Sequence, residues 1–213
     1  MQICVAIANL SYDACLAAVK TLEFAEIRLD LLDLTSDQIQ TIFAANRNLI
    51  ATCRPGKFAD PRRQAMLLHA IVSGAAYVDL EMDSSDSLKD ALISAARRHG
   101  TKIMISHHDF EKTPTRAELE YIIRWCSECH PDIIKIACMV HSARDNARLL
   151  GLLDTDQPML VVGMGAQGQI TRVVAPLIGS FATFAAYHAA DATAPGQLSV
   201  ATLNALIQPL QHL

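Results

Sequence analysis

Short β-branched runs alternate with amphipathic stretches from one end of the chain to the other. Eight such runs are candidate strands, at residues 2–8, 26–31, 48–54, 77–81, 102–107, 132–138, 159–163 and 181–186. Helical patterns lie between them, for example at 61–73, 84–99, 114–128 and 199–210. Eight strand–helix units in 213 residues leave about 27 residues for each unit,. This α/β pattern favours a closed parallel (β/α)8 TIM barrel, with an open doubly wound sheet as the alternative.

Composition supports one folded domain rather than a disordered or nucleic-acid-binding chain. Hydrophobic residues make up 51% and charged residues 19%, so the chain can bury a sizeable core,. Lys and Arg number 18 against 22 Asp and Glu, and no basic patch extends beyond a pair of adjacent arginines,. No linker, low-complexity segment or charge block interrupts the pattern. Residues 1–213 are therefore predicted to form a single barrel domain that does not bind nucleic acid.

The chain shows no signal for export or membrane insertion. Its first ten residues, MQICVAIANL, lack the basic region that begins a secretory signal,. The longest stretch without acidic or basic residues, 173–190, contains Pro176 and Gly179, which indicate a helix, a turn and a strand,. We therefore expect a soluble cytoplasmic protein whose six cysteines are free thiols,.

Three charged side chains share one face of the second predicted strand. Glu26, Arg28 and Asp30 alternate with apolar residues, and successive side chains of a strand point to opposite faces. An exposed amphipathic strand would explain the pattern, but a parallel barrel covers both faces of each strand. The three charges are therefore predicted either to form a buried ion network or to belong to a functional site.

Lys135 lies within the apolar run IIKIA of the sixth predicted strand. Burying a charged lysine costs free energy, so its side chain must either extend to solvent or lie buried as a neutral amine. A neutral, desolvated amine is a nucleophile that forms imines with ketones and aldehydes. Lys135 is thus a candidate Schiff-base lysine.

His108 ends the fifth predicted strand in the segment SHHDF. A histidine at a strand end can be purely structural, but Lys135 follows 27 residues later, at the distance of one strand–helix unit. The two residues therefore belong to neighbouring strands, whose backbones run about 4.8 Å apart. Histidine titrates near neutral pH and suits general acid–base catalysis beside an imine. The pair indicates an imine-forming enzyme.

Three short motifs look like cofactor or metal sites but are interpreted otherwise. The GMGAQG run at 163–168 matches a dinucleotide fingerprint, yet it lies in the seventh unit, and a loop that holds an anion with Arg172 is favoured,. The CSECH run at 126–130 matches a haem attachment string but is predicted to end a helix,. His107 and His108 point to opposite faces, so they cannot easily share one ion. We expect no cofactor and no metal.

Seven segments in order along the chain resemble type I 3-dehydroquinate dehydratase, a (β/α)8 enzyme of the shikimate pathway of aromatic amino acid biosynthesis. They are EIRLD at 26–30, TCRP at 52–55, DLE at 79–81, SHHDF at 106–110, KIACM at 135–139, the run from Met164 to Arg172, and APGQ at 194–197. The resemblance implies a lyase (hydro-lyase) that converts 3-dehydroquinate to 3-dehydroshikimate. It implies that Lys135 forms an imine with the substrate ketone and that His108 is the general acid–base.

The resemblance also implies which residues bind the substrate. The ring hydroxyls of the substrate are expected to contact Glu26, Arg28 and Arg54. The substrate carboxylate is expected to bind Arg172 and Gln197. Thr193 stands where the family usually has a serine, keeps its hydroxyl, and is counted with the substrate-binding residues.

Two departures from the family pattern stand out. The family commonly has an acidic residue a few positions after the arginine matched by Arg54, whereas this chain has Gly-Lys-Phe58 there, and Asp60 is the nearest acid. The first strand begins at residue 2, which predicts a barrel without the amino-terminal hairpin that often closes its lower end.

The protein is expected to form a homodimer.

Two other functions are compatible with the same residues. A class I aldolase would use the same lysine on the same barrel but break a carbon–carbon bond. A catalytically inactive barrel that only binds a metabolite would lack turnover, and the non-acidic stretch after Arg54 is consistent with it.

Overall fold

The computed structural model of the chain describes residues 1–210, in which eight strands alternate with eight α-helices. They are β1 (Ile3–Ile7), α1 (Tyr12–Val19), β2 (Ala25–Arg28), α2 (Ser36–Ala45), β3 (Leu49–Thr52), α3 (Asp60–Val72), β4 (Tyr77–Glu81), α4 (Asp86–His99), β5 (Lys102–Asp109), α5 (Arg116–Ser127), β6 (Ile133–Met139), α6 (Ala143–Leu150), β7 (Met159–Met164), α7 (Gln169–Val174), β8 (Thr183–Ala186) and α8 (Val200–Ile207). The strands form one sheet in the order β7-β6-β5-β4-β3-β2-β1-β8. The (β/α)8 fold predicted from the alternation is confirmed.

Residue contacts divide the chain into two compact units. One unit is Ala6–Met104, and the other combines Met1–Val5 with the chain from Ile105 onward. The single domain predicted over residues 1–213 stays a prediction, and the last three residues of that range, 211–213, lie outside the described residues. The absence of an amino-terminal hairpin also stays a prediction.

In the unit Ala6–Met104, strands β2, β3 and β4 pair in parallel. The register sets Arg28 beside Thr52 and Thr52 beside Asp79. All residues of β3 and β4 are buried, because helices cover parallel strands on both faces,. The capping box of Thr35 and Gln38 begins α2, which then buries Ile39, Ile42 and Phe43,.

In the other unit, β6 and β7 pair in parallel and place Lys135 beside Leu160. Both strands are buried along almost their whole length. Helix α8 closes this unit through a small apolar cluster of Ala185, Leu203 and Ile207. Polar side chains within these strands are therefore surrounded by an apolar core, where each needs a partner or a function.

Two local predictions differ from the structure. Strand β2 ends at Arg28 rather than at residue 31, because the chain turns at Leu29 and Asp30. Helix α4 begins after Ser85 and not Ser84, whose hydroxyl accepts a hydrogen bond from Arg63 at 3.2 Å. Its predicted end is confirmed, since Gly100 adopts the left-handed conformation at φ +73°,.

The motifs that were set aside have ordinary structural roles. The segment 173–190 divides into the end of α7, a 3-10 turn and β8, and no helix within residues 1–210 is long and apolar enough to cross a membrane. The CSECH run ends α5, with His130 in the left-handed region. All six cysteines are free, and five of them are buried.

Candidate active site

Lys135 lies in the middle of β6 and is only 5% exposed, so it does not extend to solvent. Its Nζ lies 4.3 Å from the centroid of the Phe184 ring, on β8. An aromatic face attracts a cationic nitrogen, and exclusion of water protects a reactive intermediate from premature hydrolysis. The side chain therefore has the surroundings that an imine-forming lysine needs.

His108 lies near the end of β5, the strand that neighbours β6 in the sheet. Its ring stacks with Phe110 at a centroid distance of 5.9 Å and an interplanar angle of 14°, although Phe110 is 60% exposed. The adjacent Asp109 instead accepts the backbone N–H groups of Glu111 and Lys112, each at 2.9 Å. Asp109 thus shapes the turn that follows the strand.

Arg172 on α7 is the largest fully buried side chain, at 1% exposure. Its guanidinium donates weakly to the carbonyls of Phe184 at 3.3 Å and Pro195 at 3.5 Å, and its Nε has no partner. Burial lowers the pKa of Arg172 to about 10, and within residues 1–210 no carboxylate offsets this effect. A buried cation with spare donors is a site for an anion, and a planar guanidinium matches a carboxylate.

Thr193 and Gln197 lie together in the segment after β8. The Gln197 Oε1 accepts the Thr193 backbone N–H at 2.7 Å and its hydroxyl at 3.1 Å. The Gly165 N–H donates to the Pro195 carbonyl at 3.0 Å, and a Cβ on Gly196 would lie 2.3 Å from the Gly165 oxygen. This contact holds the segment against the loop that follows β7, with the Gln197 amide nitrogen left available to a ligand.

The glycines of the GMGAQG run serve close packing. A Cβ on Gly168 would lie 2.4 Å from the Gly163 backbone, and the Gly163 N–H donates to the Thr171 hydroxyl at 2.7 Å. The following helix, α7, has only six residues. Arg172 projects from this helix, so the anion predicted for this loop depends on its guanidinium.

Glu26 and Arg28 are held by neighbouring polar side chains. Glu26, 3% exposed, accepts a hydrogen bond from the Thr52 hydroxyl at 3.0 Å. Arg28 donates to both carboxylate oxygens of Asp30, at 3.0 and 2.6 Å. A bidentate pair fixes the plane of a guanidinium. Arg28 and Asp30 therefore form an ion pair, which is part of the ion network given as one of two interpretations, whereas the Thr52 hydroxyl that donates to Glu26 is uncharged.

Arg54 is held by a cluster of carboxylates. It donates to both oxygens of Asp79, at 3.0 and 2.5 Å, and to Glu81 at 2.7 Å. Burial alone would lower the pKa of Arg54, but Asp79, Glu81 and Glu26 outweigh it and raise that pKa above its ordinary value. The guanidinium is thus permanently charged and fixed in orientation.

Some participants were not among the predicted site residues. Asp79 and Glu81 hold Arg54, and their alternation in the DLE segment of a buried strand is a signal that could have identified them. Phe184, under Lys135, carries no such signal. Asp60, the nearest acid after Arg54, binds Arg63 at 2.7 Å and Ser85 at 2.7 Å instead.

The family model of type I 3-dehydroquinase matches residues 3–213. The chain belongs to the type I 3-dehydroquinase family. Its sequence is 32% identical over 213 residues to the 3-dehydroquinate dehydratase of Methanosarcina acetivorans, covering 92% of this chain and 88% of the relative. The enzyme of that name from Methanococcus maripaludis is 34% identical over 198 residues, covering 90% and 89%.

Solved structures of 3-dehydroquinate dehydratases have the same fold. The 3-dehydroquinate dehydratase of Enterococcus faecalis superposes with a TM-score of 0.81 at 27% identity, covering 98% of this chain and 93% of that one. The Clostridium difficile protein reaches a TM-score of 0.85 at 24% identity, covering 99% and 92%. The resemblance seen in the sequence and the assignment to a hydro-lyase family are both confirmed.

Proposed function

We propose that this 3-dehydroquinase converts 3-dehydroquinate to 3-dehydroshikimate through an imine on Lys135. The observation that carries the proposal is the placement of Lys135, a buried amine in an apolar strand that neighbours the strand of His108. Aldolases with a Schiff base share this lysine chemistry, but family membership favours loss of water. A cytoplasmic homodimer is the expected form of the protein.

The steps conserve atoms and charge. The Lys135 amine adds to the C3 ketone, and uptake of one proton with loss of one water gives the protonated imine. Electrons from the C2–H bond then flow into the protonated imine as His108 takes the proton, which forms a neutral enamine. The enamine expels the C1 hydroxyl as His108 returns its proton, which releases the second water and restores a protonated imine. Hydrolysis of this product imine consumes one water and releases the proton taken up at the start, so the net reaction is loss of one water.

Arg172 and Gln197 are proposed to hold the substrate carboxylate. The spare donors of the buried Arg172 guanidinium support this role. Thr193 fixes the amide of Gln197 through its Oε1, which leaves the nitrogen to donate. The buried Arg172 guanidinium has lost its hydrogen bonds to water. The two oxygens of a carboxylate would replace them with charge-assisted hydrogen bonds, which are strong in a site that excludes water.

The ring hydroxyls are proposed to be bound by Glu26, Arg28 and Arg54. The carboxylate of Glu26 can accept from a hydroxyl, and the two guanidinium groups can donate. Both arginines are already fixed by carboxylates, so little conformational freedom is lost when substrate binds,.

Borohydride trapping tests the imine directly. Reduction of the enzyme in the presence of 3-dehydroquinate is expected to attach one ligand to the chain, and peptide mass spectrometry should place it on Lys135. Lys89 is an internal comparison, because it is equally buried at 5% exposure and donates to the Met82 carbonyl, outside the proposed site. An adduct on any lysine other than Lys135, or none, would refute the mechanism.

A coupled absorbance assay separates the alternatives. The proposed reaction yields a conjugated product and water, whereas an aldolase would release a smaller carbonyl fragment. An inactive binding barrel would show saturable binding of 3-dehydroquinate with no absorbance change. Either outcome would replace the dehydratase proposal.

Removal of Arg172 is expected to weaken substrate binding without weakening the fold. Arg172→Met should raise KM by roughly 10- to 150-fold, because a charge-assisted hydrogen bond contributes about 1.5–3 kcal/mol. The Tm should not fall, since the substitution removes a buried cation that has no carboxylate partner within residues 1–210,. Steady-state kinetics and thermal unfolding measure the two effects.

Arg63→Met is the matched control for Arg172→Met. Arg63 is also buried, at 3% exposure, but it donates to Asp60 at 2.7 Å and to the Cys53 carbonyl at 3.1 Å. Its loss should therefore lower the Tm. An unchanged KM in the Arg172 variant would assign the carboxylate to another residue.

A further inference from the structure

The loop that follows His108 is tied to the loop and helix that follow the strand of Lys135. We define this β5–α5 loop as residues 110–115, between β5 and α5. The Thr113 hydroxyl donates to the Met139 carbonyl at 2.7 Å, and the His141 Nε2 donates to the Glu111 carbonyl at 2.7 Å. Both partners lie just beyond or at the end of β6. The two strands that carry the proposed imine and base are thus linked where their loops begin.

Arg148 on α6 provides the most extensive of these links. Its Nη1 donates to the carbonyls of Thr113 at 2.9 Å and Pro114 at 2.5 Å, and its Nη2 donates to Asp145 at 2.8 Å. One guanidinium therefore joins two consecutive carbonyls of the β5–α5 loop to a carboxylate of α6. Such a fork cannot form with a flexible ammonium in the same geometry.

Asp145 in turn fixes Arg148 and the loop after β6. Its second oxygen accepts the His141 backbone N–H at 3.0 Å, and its own N–H is capped by Ser142. Burial raises the pKa of this carboxyl, but the hydrogen bonds from His141 and Ser142 and the charge of Arg148 outweigh that effect and lower it. Asp145 is thus ionised at neutral pH, and the strut Asp145–Arg148 is anchored at both ends.

We propose that Arg148 is a positioning residue for His108, which acts through the β5–α5 loop. The inference builds on the proposed function, in which His108 moves a proton beside the imine on Lys135. The strut holds the carbonyls of residues 113 and 114, and through them the turn that Asp109 closes directly after His108. A displacement of about 1 Å in a proton-transfer geometry is enough to slow a reaction by up to about 100-fold.

Arg148→Ala is expected to lower kcat by about 10- to 100-fold with KM nearly unchanged. Borohydride trapping on Lys135 should proceed as in the unmodified enzyme, because the lysine and the carboxylate site are untouched. Arg148→Lys should recover only part of the rate, since an ammonium cannot bridge both carbonyls and Asp145 at once. A kcat within twofold of the parent enzyme would overturn the proposal.

Arg116→Ala is the matched control. Arg116 is the first residue of α5, directly after this loop, and it donates to the Gly151 carbonyl at 3.0 Å. Unlike Arg148, it pairs with Glu120, and its side chain is 50% exposed. Its hydrogen bonds go to Glu120 and Gly151 and not to the Thr113 and Pro114 carbonyls that Arg148 holds, so its loss should leave kcat unchanged. An equal loss in both variants would indicate a general effect on the fold, against a positioning role.

A double-mutant cycle separates this inference from the proposed function. If Arg148 acts through His108, adding Arg148→Ala to a His108→Ala enzyme should change kcat little further, whereas independent effects would multiply. Multiplying effects would overturn the positioning role while leaving the base assignment intact. Near-normal turnover in His108→Ala alone would instead refute the base, whatever Arg148 does.

Discussion

Lys135→Met is expected to abolish turnover while the chain stays folded. Without the amine no imine forms, the C2 hydrogen has no electron sink, and kcat should fall by roughly four or more orders of magnitude, as for removal of other catalytic nucleophiles. Methionine fills nearly the same volume against Phe184, so the chain should still unfold in one cooperative thermal transition,. The coupled absorbance assay and thermal unfolding provide the two measurements.

Lys89→Met is the control for this substitution. Lys89 is as buried as Lys135, and it pairs with Asp86 at 3.1 Å and donates to the Met82 carbonyl, outside the proposed site. Its loss should lower the Tm and leave borohydride trapping on Lys135 intact. If Lys135→Met kept appreciable turnover, the reaction would have to proceed without an imine, and the proposed mechanism would be wrong.

His108→Ala should separate imine formation from the proton transfers that follow it. We expect kcat to fall by about 100- to 10 000-fold, the usual contribution of a positioned general acid–base. The imine still forms, because Lys135 and the residues proposed to bind the carboxylate are unchanged. Mass spectrometry after borohydride reduction should therefore find the substrate on Lys135 in nearly every chain, even without product.

The preceding residue offers a matched control. His107 belongs to the same strand, but successive side chains point to opposite faces, and its Nδ1 is buried without a partner in the described chain,. His107→Ala should therefore keep most of the turnover. Near-normal kcat in His108→Ala would show that another group moves the protons.

The alternation of eight short apolar runs predicted the fold, because hydrophobic periodicity fixes element type more firmly than element ends. The errors lie at element ends, which are determined by individual side-chain contacts. Ser84 has the chemistry of a helix cap, but its hydroxyl accepts a hydrogen bond from Arg63, and Ser85 occupies the N-cap position of a helix that begins at Asp86. The run of charges after Glu26 reads as one strand, yet the chain turns to let Arg28 reach Asp30.

The candidate site could be predicted only where a residue conflicts with its surroundings. Lys135 and the charges of β2 stand out because apolar strands exclude them. An apolar residue in an apolar strand gives no such signal. Phe184 cannot be told from other core aromatic residues in the sequence, and only the structure places its ring beside the Lys135 amine. The strut of Asp145 and Arg148 likewise resembles an ordinary surface pair at helical spacing, since its two backbone acceptors lie more than 30 residues earlier.

The burial of Arg172 also links folding to occupancy of the site. A ligand that binds only the folded chain stabilises it by an amount that grows with concentration, about 2.7 kcal/mol at 100 times its Kd. A small carboxylate that binds the Arg172 guanidinium, whose Nε has no partner within residues 1–210, should therefore raise the melting temperature. Thermal unfolding thus becomes an occupancy assay that needs no turnover, and it works equally well in chains whose Lys135 or His108 has been replaced.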